Sequence, residues 1–253
     1  MYDIQMHEVS DQFARCWQAA GRHIAAQAQG PISWLKAALV PPYLEHLSFR
    51  LGNQLFFVRI EDVDSELDVP ASREGLLRIA EGCNGYPCLM PMRLRAGNWL
   101  PEAGGWGLID AHTGLAIDPV ALVSDERIEM TDWEVHDAAV QVVRDDLKSA
   151  GKKLMSWTGH PQVDPAIWFV GDSGPEWVVV RAVRYPALEA SPPADWQRLA
   201  EHCASVSTIG HFASVSLASA EDAFDPDHVI PPEPLWRGHA MRVRFDGLVP
   251  GPV

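Results

Sequence analysis

A chain of 253 residues, with 47% hydrophobic and 21% charged side chains, has ample material for a packed core and excludes long disorder. Its twenty Lys and Arg stand against thirty-four Asp and Glu, a net charge of −14. The imbalance is spread along the chain: nine basic against fifteen acidic side chains up to residue 125, and eleven against nineteen beyond it. Neither half carries the basic footprint that a phosphate backbone selects, so nucleic acid is not expected as a partner.

The opening Met1-Tyr2-Asp3-Ile4-Gln5 lacks the basic stretch and apolar run of a secretory signal. No apolar run approaches the roughly 20 residues that span a bilayer. The four cysteines, Cys16, Cys83, Cys88 and Cys203, are sparse for this length. The expectation is a cytoplasmic protein with reduced thiols and no membrane partner.

In chain order, Ser10 is placed to cap a helix in which Phe13, Cys16, Trp17, Ala20 and Ile24 recur at helical spacing. A short second helix is expected from Ser33 to Val40, ending at Pro41-Pro42. Leu47, Phe49 and Leu51 then alternate, Gly52-Asn53 turns the chain, and Leu55 to Arg59 returns as a second strand. A helix from about Ser72 to Cys83, a strand from Cys88 toward Leu94 and a strand over Trp106 to Ile109 complete the first half.

The second half repeats the order. Thr131 caps a helix with Val135, Ala139, Val143 and Leu147 on one face, and Lys153 to Trp157 reads as a strand. Ala166–Val170 and Trp177–Val183 read as a hairpin around Gly171-Asp172-Ser173-Gly174. A helix over about Ala194 to Val206 and strands at His211–Leu217 and His239–Phe245 follow, with an acidic loop, Glu221 to Glu233, between the last two.

The two halves also match in detail. Leu55-Phe56-Phe57-Val58-Arg59 lines up with Trp177-Val178-Val179-Val180-Arg181. Arg78-Ile79-Ala80-Glu81-Gly82-Cys83 lines up with Arg198-Leu199-Ala200-Glu201-His202-Cys203. Leu76, Ile79 and Cys83, with Trp196, Leu199 and Cys203, fall on the helix faces expected to pack on a sheet.

Residues 131–246 carry the order helix, strand, strand, strand, helix, strand, which resembles the core of the PD-(D/E)XK, or restriction-endonuclease-like, nucleases. In that family a helix Glu and a strand Asp bind a divalent metal, and a Glu-x-Lys on the third strand completes the site. By this resemblance Glu134 and Asp164 would be the metal ligands and Arg181 would stand in the place of the Lys. The motif is degenerate, because the third strand offers Val179-Val180-Arg181, with Val where a carboxylate is required. Glu176 falls on the opposite face of that strand from Arg181.

Other constellations are weaker. The acidic run Glu61 to Asp68 has Leu67 where a calcium loop needs Gly, and Arg73 where it needs Glu. Cys83 and Cys88 lack a second pair, so zinc is not expected and buried thiols are. His202, His211 and His239 are a candidate cluster by their placement on elements of the second half. Gly104-Gly105-Trp106-Gly107 is followed by no Lys-Ser/Thr and reads as a turn.

The fold expected is α+β: two tandem related units, 1–125 and 126–253, pseudo-symmetric, each an antiparallel-rich twisted sheet with packed helices, leaving a groove where the units meet. The function expected is that of a cytosolic binding or regulatory protein that recognises another protein, without catalysis of its own. No cofactor is expected, and an acidic surface suits a basic partner. The alternative is a degenerate metal-dependent nuclease of the PD-(D/E)XK kind.

Overall fold

The computed structural model describes residues 9–28, 30, 32–37, 46–70, 72–222, 224 and 231–252. The protein is α+β, and it divides into two compact units, Ile4–Arg127 and a second holding Ile128–Val253.

In the first unit, α1 (Asp11–Gln27) starts at Ser10, whose hydroxyl accepts the Phe13 N–H. The sheet runs β1 (Ser33–Lys36), β2 (Leu47–Leu51), β3 (Gln54–Asp62), β4 (Tyr86–Arg95), β5 (Asn98–Pro101) in spatial order. A short β6 (Ile109–Asp110) also pairs with β4. All pairings are antiparallel except β3 with β4, which are parallel and joined by α2 (Arg73–Gly82). Strand alternation sends Phe56, Val58 and Ile60 toward α1, into a core with Phe13, Trp17 and Ile24. Leu55 and Phe57 point to the other face, where α2 packs on β3 and β4 through Leu76 and Ala80. A single turn, α3 (Pro119–Leu122), closes the unit.

The second unit opens with α4 (Asp132–Ser149), whose Thr131 and Glu134 form a reciprocal capping box. Its sheet runs β7 (Lys153–Trp157), β8 (Ile167–Val170), β9 (Pro175–Arg184), β10 (Gly210–Ser219), β11 (Met241–Phe245), with β12 (Val249–Pro250) also on β10. Again one pair is parallel, β9 with β10, and α5 (Trp196–Cys203) links those two strands. Val178 and Val180 face α4 with Val135, Ala139 and Val143. Trp177 and Val179 face α5, with Trp196, Cys203 and Phe212.

The registers of the two parallel pairs coincide. Phe56 lies opposite Tyr86, and Val178, its aligned residue, lies opposite His211. In each case a glycine precedes the partner. A methyl group on Gly85 would come 2.7 Å from Phe57 Cε2, and one on Gly210 2.2 Å from Trp177 Cζ2. Each parallel strand can begin there only because the backbone has no side chain at the point of closest approach.

Several elements differ from the sequence reading. Ser33–Lys36 is a strand, not the start of a helix, because it finds an edge partner in β2; Ala37 follows it in no helix, and the last residues of the expected helix, 38–40, with Pro41-Pro42, lie outside the described residues. The first-half strand expected at Trp106–Ile109 is reduced to β6, Ile109–Asp110, while Trp106 and Leu108 bury their side chains in the core. Ile79 and Leu199 are only half-buried: α2 takes its contact through Leu76 and Ala80, and α5 through Trp196 and Cys203. Most of the acidic loop at 221–233, residues 223 and 225–230, lies outside the described residues.

Candidate functional site

The second unit gathers its polar side chains where the C-terminal part of β9 meets the loop from β7 to β8. Arg181, on β9, holds Asp164 of that loop in a bidentate ion pair at 2.9 and 2.5 Å. Both side chains are about three-quarters buried, at 27% and 23% exposure, so the pair is only partly screened by water. The Asp164 hydrogen bond pushes the Arg181 pKa above its ordinary value.

Beside the pair, α4 contributes His136 and Asp137. His136 is 6% exposed, and its Nε2 has no hydrogen-bond partner among the described residues. Burial, with the Arg181 charge, lowers its pKa below the ordinary 6.5 and so disfavours the protonated ring; Asp164 and Asp137 oppose that shift. Asp137 accepts from Gln141 at 2.7 Å, and a methyl on Gly159 would fall 1.7 Å from its other oxygen. The loop therefore lies directly on the helix. His160 packs its ring on Trp133 at 4.4 Å between centroids, while its Nδ1 accepts the Gln162 N–H.

Glu134 is held elsewhere. Its carboxylate accepts the Thr131 N–H and a bidentate pair of bonds from Arg237, at 2.9 and 2.8 Å. The Arg237 and Glu134 side chains are 2% and 10% exposed. Glu134 thus ties α4 to the segment before β11, where Met130 N–H donates to Leu235 C=O and Arg237 N–H to Ile128 C=O. Arg237 was not legible as its partner in the sequence, since 103 residues separate them.

Each carboxylate of the nuclease-like set accordingly has its own guanidinium. Among the described residues no group of three or more His, Cys, Asp or Glu could hold a metal ion. His202, His211 and His239 do not form such a group: His211 pairs with Glu176 at 2.7 Å, and the other two are exposed. In the first unit Asp62 turns its acidic loop back on itself, accepting the N–H groups of Asp64, Glu66 and Leu67. Arg93 bonds Asp64 and Glu102.

The four cysteines are buried and unbridged. Burial, with the nearby Asp62, pushes the Cys16 thiol to about 12. Burial and Asp164 push Cys203 to about 11, and burial and Asp110 push Cys88 up as well. Thiols so disfavoured from ionising are poor nucleophiles and poor metal ligands.

A family model described as a Domain of unknown function (DUF8840) matches residues 133–250. The match opens inside α4 and closes in β12, so it covers the core of the second unit. No curated protein and no solved structure matches the chain. Among the described residues, no helix is long and apolar enough to cross a membrane.

Proposed function

We propose that this is a cytoplasmic recognition protein that acts by binding another protein and performs no catalysis of its own. The observation that carries this reading is the closure of its candidate chemical groups. Glu134 is matched to Arg237, Asp164 to Arg181 and Glu176 to His211. A carboxylate in a bidentate guanidinium pair has its lone pairs committed, so recruiting it to a metal would leave a poorly hydrated cation uncompensated. The polar groups thus serve the scaffold, and the surface remains to serve a partner. A net charge of −14 favours long-range encounter with a partner that is basic overall.

The test is affinity capture from the native cell at low salt, followed by titration of the purified pair. A saturable complex formed by the two pure proteins supports the reading. Retention of no protein that rebinds in purified form would contradict it.

A second reading, a degenerate nuclease of the PD-(D/E)XK kind, draws support from the element order α4, β7, β8, β9, α5, β10. It requires Asp164 to leave Arg181 and Glu134 to leave Arg237.

A further inference from the structure

The outer strands of the two sheets are not equivalent. An edge strand offers unpaired N–H and C=O groups, and proteins blunt it with bulges, proline or charge. Here β1 is bulged between Trp34 and Lys36, and β7 between Leu154 and Ser156. β5 is four residues long and ends in Pro101. β11 has neither bulge nor proline, and its only blunting feature is the charge of Arg242 and Arg244: Met241 to Phe245 pair with Ser219 to Val215 in unbroken register. Among the described residues no strand pairs with its outer side.

The direction of its free groups follows from one hydrogen bond. Ala220 N–H donates to Ala240 C=O, which makes that couple a hydrogen-bonded pair of the antiparallel ladder. Bonded and non-bonded pairs alternate. Arg242 and Arg244 therefore turn their backbone groups toward β10, while Met241, Val243 and Phe245 present theirs outward.

The side chains choose the occupant. Arg242 and Arg244 lie on one face, opposite Ala218 and Ser216. Val243 lies on the other and is 42% exposed. Arg242 donates to the Ala220 carbonyl, and Arg244 pairs with Asp246 at 3.1 Å and, more loosely, with Glu189 at 3.9 Å, both exposed carboxylates that an incoming one can replace. A second copy of β11, added antiparallel about Val243, would set Arg242 against Arg244 of its neighbour, and like charges directly opposite are destabilising. An extended segment with acidic residues at alternate positions meets the arginines on one face and Val243 on the other.

We infer that β11 is a strand-addition site for an extended acidic segment of a partner protein, in which alternating carboxylates face Arg242 and Arg244. This rests on the protein-recognition reading and names the surface that carries it. β11 itself holds two arginines and no carboxylate, so the segment that fits it differs in charge from the body of a basic partner. Main-chain bonds supply affinity and the alternating side chains supply selectivity.

The test uses the full chain and a labelled peptide of alternating glutamate and valine, followed by fluorescence anisotropy and amide hydrogen exchange. Saturable binding that slows exchange at Met241, Val243 and Phe245 about tenfold or more supports the inference. Val243→Pro, which removes an outward N–H, should abolish binding. Arg242→Glu with Arg244→Glu should weaken it at least about tenfold and leave the melting temperature near that of the wild type. If Val243→Pro does not fold, Val243→Lys serves, as an edge charge that opposes strand addition. Equal binding of a lysine–valine peptide overturns the charge assignment. So does a concentration-dependent dimer that Val243→Lys abolishes, since it makes a second copy the occupant. A captured partner that binds Val243→Lys as well as the wild type overturns the edge site and leaves protein recognition standing.

Discussion

Trp196, the first residue of α5, sits 5.1 Å from Trp177 between ring centroids and is 6% exposed. Truncating it to Ala should destabilise the protein by about 3–5 kcal/mol in urea or thermal unfolding, and a loss under about 1 kcal/mol would mean that the cavity refills or the side chain is not core. At Glu134 the argument is electrostatic. Glu134→Ala leaves the 2%-exposed Arg237 without its carboxylate and should cost about 3–5 kcal/mol, with part of the loss coming from the capping box. His136 sets a pH dependence. Its folded pKa is depressed below 6.5, so the unfolded chain takes up a proton that the folded one resists. The stability conferred by the neutral ring is present above 6.5 and is lost as pH falls below it. Denaturation midpoints measured from about pH 7 to about pH 5 should fall less steeply in His136→Leu than in the wild type.

The elements were legible in the sequence where local chemistry and burial agree. Ser10 and Thr131 cap the helices they were expected to cap, because a side-chain oxygen three residues ahead of a free N–H needs no tertiary help. Gly52-Asn53 turns β2 into β3, with Gly52 at φ +57°. Ser33–Lys36 was misread because Ser-Trp-Leu-Lys has no period of its own; its state is decided by pairing with β2. The site was half legible. Asp164 and Arg181 were marked by the nuclease-like order, but their mutual bond, and the Glu134–Arg237 bond, depend on chain crossings that no local pattern records. At this scale the parallel strands provide a test. Gly85→Ala and Gly210→Ala should each cost about 1–3 kcal/mol by overpacking against Phe57 and Trp177. Gly21, inside α1 with nothing within 4 Å of an added methyl, should stabilise by about 0.5–1 kcal/mol when changed to Ala. Equilibrium unfolding of the three variants checks both signs.

Across the whole molecule, the strand order β1 to β5 is matched by β7 to β11, each with one parallel pair joined by a helix. The polar content is not repeated with the scaffold: Arg59 bonds Glu61 within its own strand, whereas the aligned Arg181 reaches Asp164 across a loop. What distinguishes a recognition protein from a degenerate nuclease is whether that second arrangement is an internal ion pair or a vacant half of a metal site. The most direct measurement is incubation of the pure chain with plasmid and linear DNA in Mg²⁺ or Mn²⁺, beside Asp164→Ala. With Asp164 and Glu134 committed to arginines, the DNA should remain as intact as in the metal-only control. Metal-dependent cleavage by the wild type that disappears in Asp164→Ala would contradict that outcome and make Asp164 a ligand.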